Sequence, residues 1–242
     1  MGRPVTGKNH VLLNRDLFDE FAAFLAAAKW DIALLQEVPP RWDERLARAT
    51  GSTHLRGLTS RNWMSPVMSP VARRRPHLPG SWEGGSNLIL ARKGKPGMTI
   101  AERKNVTLCW LPERRVLSMV RFTDGLCVAN IHASTGPSNG QRDVLKAAEI
   151  AVNWAGTSPL VFGGDFNIRP KKSPEAFAEL HDYFDFSPAT EEGSIDHLLL
   201  RGGFVEEPAS VWKPERRDVP DPETELSIRL SDHSPVVARI GY

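Results

Sequence analysis

The chain has 242 residues, of which 25% are charged and 40% are apolar. This length and an even composition predict a single domain over residues 1–242. Lys and Arg exceed Asp and Glu by two, 31 against 29, so charge neither requires nor excludes a polyanionic partner. No stretch approaches the roughly 20 apolar residues that cross a bilayer, and the N-terminus has no apolar signal segment. We therefore expect a cytoplasmic protein without a membrane span.

The N-terminal quarter predicts a helix, a strand and a second helix. Apolar residues recur at helical spacing from Asp16 to Trp30, with Asn14 or Asp16 available as N-cap. The run Ile32-Ala33-Leu34-Leu35 predicts a strand buried on both faces, and a helix from Trp42 to Ala49 follows. Residues 51–85 are irregular and rich in proline, which predicts a long surface loop.

The rest of the chain alternates strands and helices. Segments rich in Val, Ile, Leu and Thr predict strands, and Asp124-Gly125 predicts a hairpin turn. Helices are predicted from Asp143 to Trp154 and after Ser173-Pro174, a cap followed by proline at the first helical position. These elements predict an α/β fold in which two mixed β-sheets pack face to face with helices outside, a four-layer sandwich. The predicted strands are Ser86 to Ala91, Thr99 to Trp110, Arg115 to Phe122, Leu126 to His132, Pro159 to Phe162, Ser194 to Leu200 and Pro235 to Ile240.

Five short segments place polar residues at or next to the ends of apolar strands, which is where α/β proteins place catalytic groups. Taken singly, an acidic residue there is usually a cap or a turn, and a histidine is more often structural than catalytic. The five segments are Leu35-Gln36-Glu37, Ala129-Asn130-Ile131-His132, Gly163-Gly164-Asp165-Phe166-Asn167, Ile195-Asp196-His197 and Ser231-Asp232-His233.

In this order, the segments resemble the endonuclease/exonuclease/phosphatase superfamily over roughly Asp31 to Ile240. That superfamily includes deoxyribonucleases, abasic-site endonucleases, sphingomyelinases and inositol-phosphate phosphatases. Gly-Asp-Phe-Asn, followed by Ile-Asp-His and a late Ser-Asp-His, is the specific part of the resemblance. It implies a phosphoester hydrolase that depends on Mg²⁺ or Mn²⁺, with a nuclease as the main expectation and a lipid or small-molecule phosphoesterase as the rival.

The resemblance also implies a role for each polar residue. Glu37 and Asp232 would hold the metal, since hard divalent cations prefer carboxylate ligands. Asp165 would orient or deprotonate the attacking water, and Asn167 would donate to the phosphate without adding a repelling charge. The expected substrate is a phosphate ester, with DNA or RNA among the candidates, and we expect a monomer.

The histidines complete the expected site. His233 would bind the scissile phosphate or act as an acid, oriented by Asp196. His132 would make a second phosphate contact or stabilise the leaving group, and Asn130, which precedes it, is grouped with the substrate-binding residues. His197 lies beside Asp196, points to the opposite face of the strand and is left out of the site.

Two regions leave alternatives open. The run Arg73-Arg74-Arg75, with Trp63 and Trp82, could track a nucleic-acid backbone, although such runs are more often solvated loops. Related proteins begin with a central strand that ends in asparagine, and no full strand precedes the first helix here. We therefore expect the first strand of the fold to be missing, by truncation or a late start codon, unless the short Val11 to Asn14 fills its place. A weakly active or inactive binding module is the alternative that such a loss would favour.

Overall fold

The computed structural model describes residues 16–59, 85–111, 113–222 and 225–242. Helix α1 covers Phe18–Ala27, within the predicted segment. The Oδ1 atom of Asp16 accepts a hydrogen bond of 3.2 Å from the N–H of Phe18, so Asp16 satisfies one of the free N–H groups at the start of the helix. Asn14, the other predicted cap, lies outside the described residues.

The first sheet has three antiparallel strands, β1 (Ile32–Leu35), β2 (Ser52–Leu58) and β3 (Ser86–Arg92), in the order β1-β3-β2. The short helix α2 (Asp43–Ala49) lies between β1 and β2. The prediction that β1 is buried on both faces is wrong, because all four of its residues are only half-buried.

The prediction of a loop over residues 51–85 is wrong at its start, where β2 lies. The polar composition of β2 concealed this strand in the sequence. The strand is stabilised by its pairing with β3 from Ser52 to Leu58. A side chain at Gly57 would clash with Ser118 of the second sheet, so this glycine permits the two sheets to approach. Residues 60–84, which include the basic run and its tryptophans, lie outside the described residues.

The second sheet has five strands in sequential order. Only the β6–β7 pair is parallel, and helix α3 (Pro137–Ala155) forms the crossover between these two strands. The predicted turn at Asp124-Gly125 is confirmed, since Gly125 has φ +97° and donates a 3.0 Å hydrogen bond to Phe122 O. The strands are β4 (Ile100–Cys109), β5 (Arg115–Phe122), β6 (Cys127–His132), β7 (Leu160–Asp165) and β8 (Asp196–Arg201).

The C-terminal part adds helix α4 and two small strand pairs. Helix α4 (Pro174–Asp182) begins after Ser173, as predicted. Strand β9 was not predicted, because most of its residues are exposed and it contains two glutamates and a proline. It pairs with β12, and the unpredicted β10 pairs with β11. These strands cover Phe204–Val211 (β9), Asp218–Pro220 (β10), Ser227–Arg229 (β11) and Val236–Gly241 (β12), and short 3-10 helices cover Pro40–Trp42 and Pro214–Arg217.

Three apolar clusters define the layers. One lies between the sheets and includes Ile89, Val120 and Val128. The second joins α3 and α4 to the outer face of the five-stranded sheet, and the third joins α1 and α2 to the three-stranded sheet. The predicted α/β sandwich with helices on both outer faces is thus confirmed.

The predicted missing strand concerns the segment before residue 16, which lies outside the described residues. Within the described ranges, β1 pairs with β3 alone, and β12 pairs with β9 alone. The absence of the opening strand therefore stays a prediction. None of the helices in the described part of the chain combines the length and apolarity that a membrane crossing needs.

Asn130 links the two sheets. It is fully buried, and its Nδ2 donates to Leu35 O at 3.1 Å and to Leu88 O at 3.2 Å. Its Oδ1 accepts from Gln36 Nε2 at 2.7 Å. A buried amide with every polar atom satisfied holds the end of β1 against β6. Glu37 is thereby held at the same edge of the sandwich as His132.

The close approach of β7 to β6 depends on Gly164. This residue has φ +127°, and a Cβ atom there would lie 2.0 Å from Ile131 O. Only glycine tolerates both conditions.

We predict that Gly164→Ala lowers the free energy of unfolding by at least about 2 kcal/mol, since backbone strain and a backbone clash add. Urea unfolding provides the measurement. Gly193→Ala is the matched control, because no atom lies within 4 Å of its added Cβ. Equal stability of the two variants would contradict the role given to Gly164.

Candidate active site

Three neighbouring strands place His132, Asp165 and Asp196 in one row. His132 pairs in register with Asp165 across the parallel β6–β7 ladder, and Asp165 pairs with Asp196 across the antiparallel β7–β8 ladder. Residues in register on adjacent strands point to the same face and lie about 5 Å apart. The sheet thus brings together three residues of which the first, His132, and the last, Asp196, are 64 positions apart in the chain.

The carboxylate of Asp165 has one oxygen fixed and one turned toward two histidines. Its Oδ1 accepts a 2.9 Å hydrogen bond from the N–H of Asn167. Its Oδ2 lies 3.6 Å from His132 Nε2 and 3.9 Å from His233 Nδ1, distances too long for direct hydrogen bonds. Oδ2 is therefore the oxygen placed to accept a proton from a bound molecule.

Asn167 is held in a turn with φ +54°. Its Nδ2 donates a 2.9 Å hydrogen bond to Ala133 O, which accounts for one of the two amide hydrogens. The second hydrogen remains for the phosphate contact predicted from the sequence. That role stays a prediction.

Burial raises the pKa of Asp165 to about 6, and the neighbouring charge of Asp196 adds to the effect. The hydrogen bond from Asn167 and the charge of His233 oppose it. A carboxyl group with this pKa is still ionised at neutral pH but holds a proton far better than an ordinary aspartate. That is the property required of a general base near neutral pH.

His233 and Asp196 form the pair predicted from the sequence. His233 Nδ1 lies 3.0 Å from Asp196 Oδ2. This hydrogen bond raises the pKa of His233 to about 9, against the opposing effect of burial. Because Nδ1 donates to Asp196, the other ring nitrogen, Nε2, is the one available to a substrate.

His132 has the opposite electrostatic character. It is buried, and burial lowers its pKa to about 3, with further lowering by the charges of Arg115 and His233. The ring is neutral at neutral pH. It can therefore donate or accept one hydrogen bond at the site without adding charge.

The two predicted metal ligands, Glu37 and Asp232, are exposed at the rim of this cluster. Glu37 has φ +57°, a conformation uncommon outside glycine and found often at functional sites. Its charge raises the pKa of Asp165, and that of Asp232 raises the pKa of His233. Among the described residues, a group of possible metal ligands that lie close together consists of Asp165, Asp196 and His233. Their ligand atoms lie within 4.8 Å of one another, and the group does not include the two predicted ligands.

Two other residues from the predicted segments lie away from the site. Asn130 belongs to the link between the sheets, and with both amide hydrogens donated to backbone carbonyls it has none left for the substrate contact expected of it. His197 faces the opposite side of β8, as its position beside Asp196 predicted, and packs against Phe166 and Phe177 with ring centroids 5.2 and 4.9 Å away. Burial lowers the pKa of His197 to about 4, so it is a neutral core residue.

Two arginines lie beside the site, and sequence reasoning missed Arg115. The side chain of Arg115 is buried, pairs with Glu113 at 3.0 Å and acts electrostatically on His132. Arg217 donates through Nη1 to Asp232 O and so holds the segment that carries His233. In the sequence Arg115 resembles an ordinary surface charge, and no motif distinguishes it.

The sequence matches the Endonuclease/Exonuclease/phosphatase family over residues 9–233. The chain belongs to this family, which makes it a phosphoester hydrolase of the nuclease and phosphatase type. The match begins upstream of Val11 to Asn14, the segment discussed above as a replacement for the opening strand. No curated protein matches the sequence significantly.

Solved structures share the fold. A family protein from Bacteroides thetaiotaomicron aligns with a TM-score of 0.64 at 17% identity, covering 92% of this chain and 88% of that one. The human Nocturnin catalytic domain with bound sulfate gives 0.63 at 14% identity, over 96% and 89%. A humanized TDP2 from D. rerio gives 0.56 at 16% identity, over 93% and 90%. At these identities the likeness extends to the fold alone.

We predict that kcat/KM for an aryl phosphodiester rises as pH passes through about 6 and falls as it passes through about 9. The rise follows deprotonation of Asp165, and the fall follows loss of the proton from His233. Asp196→Asn should move the alkaline limb to lower pH, because the hydrogen bond to Asp196 is the main cause of the high pKa of His233. An unchanged alkaline limb would refute this assignment.

Proposed function

We propose that the protein is a phosphodiesterase dependent on Mg²⁺ or Mn²⁺, most closely a nuclease, acting as a single-domain monomer. The observation that carries the proposal is the free Oδ2 of Asp165, which faces His233 while Asp196 holds that histidine protonated. A base and a cationic acid thus coexist within one cluster. Phosphodiester hydrolysis requires both.

The residues at the site fit a hard divalent cation. Two exposed carboxylates, Glu37 and Asp232, leave room for the water molecules that Mg²⁺ retains. They act electrostatically on Asp165 and His233, so a cation held by them would relieve the repulsion among the site's carboxylates. When bound, the ion would supply neutralisation of the charge on the phosphoryl oxygens.

Asp165 and His233 carry the proton transfers in this proposal. Asp165 Oδ2 accepts a proton from water while the water oxygen bonds to phosphorus and the ester P–O bond breaks. His233 Nε2–H binds the phosphoryl group or gives its proton to the departing oxygen. After release of the products, Asp165 returns its proton to solvent. If His233 has given its proton to the departing oxygen, it takes up another from solvent.

Three further side chains position the reactants. Asn167 uses its second amide hydrogen on a phosphate oxygen. His132, neutral and buried, makes a further contact to the phosphate or the leaving oxygen. Asp196 keeps the ring of His233 oriented, since its Oδ2 accepts a hydrogen bond from the Nδ1–H of that ring.

We predict that Asp165→Asn and His233→Ala each lower kcat by about 10²–10⁴-fold, the usual contribution of a positioned acid or base. Asp182→Asn, an exposed position at the end of α4, serves as the matched control and should leave kcat unchanged. Melting curves of the variants establish first that each remains folded. Near-parental turnover by either site variant on a substrate that the parent hydrolyses would show the role to be wrong.

A second prediction concerns the metal. Glu37→Gln should weaken binding of Mg²⁺ or Mn²⁺ while leaving the melting temperature nearly unchanged, because it removes a ligand charge from an exposed side chain. Calorimetric titration of parent and variant measures this directly. Glu44→Gln, with its side chain 75% exposed on α2, is the control for loss of one carboxylate. Equal affinity of parent and Glu37→Gln would remove Glu37 from the metal site.

A substrate panel separates the nuclease proposal from its rivals. Plasmid DNA, RNA, sphingomyelin and inositol phosphates are each incubated with the protein and Mg²⁺, with and without chelator. Chelator-sensitive cleavage of a nucleic acid supports the proposal, and turnover confined to lipid or inositol phosphates replaces it with the phosphoesterase alternative. Binding without turnover would identify an inactive binding module.

A further inference from the structure

The described residues that connect β4 to β5 lie at the end of the five-stranded sheet where His132 also lies. We call Trp110, Leu111, Glu113 and Arg114 the hairpin tip. Cys109, at the end of β4, pairs with Arg115 at the start of β5. Ser118 of β5 pairs with Asn130, two residues before His132. The hairpin tip thus lies beyond the strand ends where His132 lies. Measured across the strands, it is two strand spacings, or about 10 Å, from His132.

The hairpin tip exposes two large apolar side chains. Trp110 is 68% exposed and Leu111 is 82% exposed. Two adjacent apolar residues with this exposure form an apolar patch, and exposed apolar surface is a common mark of a binding site.

Hydrogen bonds and an ion pair anchor the described residues of the hairpin tip. Arg114 Nη2 donates to Thr59 O at 3.2 Å, and Lys146 Nζ donates to Leu108 O at 2.7 Å. Glu113 contributes two further contacts, since its backbone oxygen accepts from Cys109 Sγ at 3.4 Å and its carboxylate pairs with Arg115. A surface anchored by such contacts loses less conformational entropy on binding a ligand than an unanchored one.

A cation lies beside the ring of Trp110. The guanidinium of Arg114 lies 5.7 Å from the centre of the Trp110 ring. Lys146 on α3 adds positive charge, whereas Arg115 is buried and paired with the carboxylate of Glu113. A flat aromatic ring with a guanidinium beside it and a lysine nearby suits a planar base attached to an anionic backbone.

We propose that the hairpin tip binds a base of a single-stranded nucleic-acid substrate, stacked on Trp110, while Arg114 and Lys146 attract the neighbouring phosphates. This inference rests on the proposed function, because it assigns a nucleic acid to the phosphodiesterase site. The bound base lies away from the scissile phosphate and takes no part in bond breaking. Trp110 therefore determines which substrates bind and leaves the chemistry unchanged.

The test compares two ligands that differ only in their bases. Binding of a fluorescent single-stranded oligodeoxythymidine, and of an abasic oligomer with the same backbone, is measured by anisotropy in the presence of chelator. The parent should bind the base-bearing oligomer more tightly. Trp110→Leu should weaken that binding by roughly 5- to 100-fold, the factor expected from loss of one stacked base, while Trp110→Phe retains most of it.

Two controls isolate the effect. Tyr183→Leu removes another exposed aromatic side chain, 78% exposed. Tyr183 is close in the chain to Ser187, whose N–H donates to Leu200 O. Leu200 lies near the end of β8 opposite to Asp196, so Tyr183 is remote from the site and this variant should bind like the parent. Hydrolysis of a small aryl phosphodiester by Trp110→Leu should also match the parent, because that substrate does not reach the hairpin tip.

Either of two results overturns the inference: equal binding of the two oligomers by the parent, or parental binding of the base-bearing oligomer by Trp110→Leu. Capture of the parent by anionic lipid vesicles in place of the oligomer would also overturn it and would make the tip a lipid contact. If the parent hydrolyses no phosphodiester at all, the proposed function fails, yet the oligomer comparison still decides the inference.

Discussion

The parallel pairing of β6 with β7 is the constraint on which the site depends. It places His132 in register with Asp165, and the antiparallel partner β8 then adds Asp196 to the row. The pairing is close because Gly164 presents no side chain to the backbone of β6. Asn130, one strand position away from that contact, fastens the same part of β6 to β1. Catalytic geometry and sheet packing are therefore produced by the same few residues.

The electrostatics of the site follow from this geometry. Burial beside Asp196 makes Asp165 a stronger base than an ordinary aspartate, and the hydrogen bond to Asp196 makes His233 a weaker acid than an ordinary histidine. Their protonation states at neutral pH are thus those that hydrolysis needs at its start. Asp196 contributes to both shifts although it transfers no proton itself. Its position at the first residue of β8 is consequently as important as that of the two groups it influences.

The sequence predicted the layered fold and the polar segments at strand ends, because hydrophobic periodicity and position after a strand are local properties. It missed β2 and β9, whose polar composition conceals strands that are stabilised by pairing with distant segments. It predicted the Asp196–His233 pair through a family resemblance. Nothing local indicated that Asn130 would use all of its amide atoms between the sheets, or that Arg115 would be buried near His132, because both facts depend on contacts across the fold.

The central claim is that the site holds a protonated His233 and a neutral His132 around the free oxygen of Asp165. Titration of the histidine ring signals by NMR, in chelator-treated protein and with His233→Ala and His132→Ala for assignment, measures these states directly. The account predicts that the ring of His233 loses its proton near pH 9, and that the ring of His132 stays neutral throughout the range above pH 5. A His233 ring that titrates near the ordinary value of about 6.5, or a His132 ring that titrates at or above it, would contradict the account.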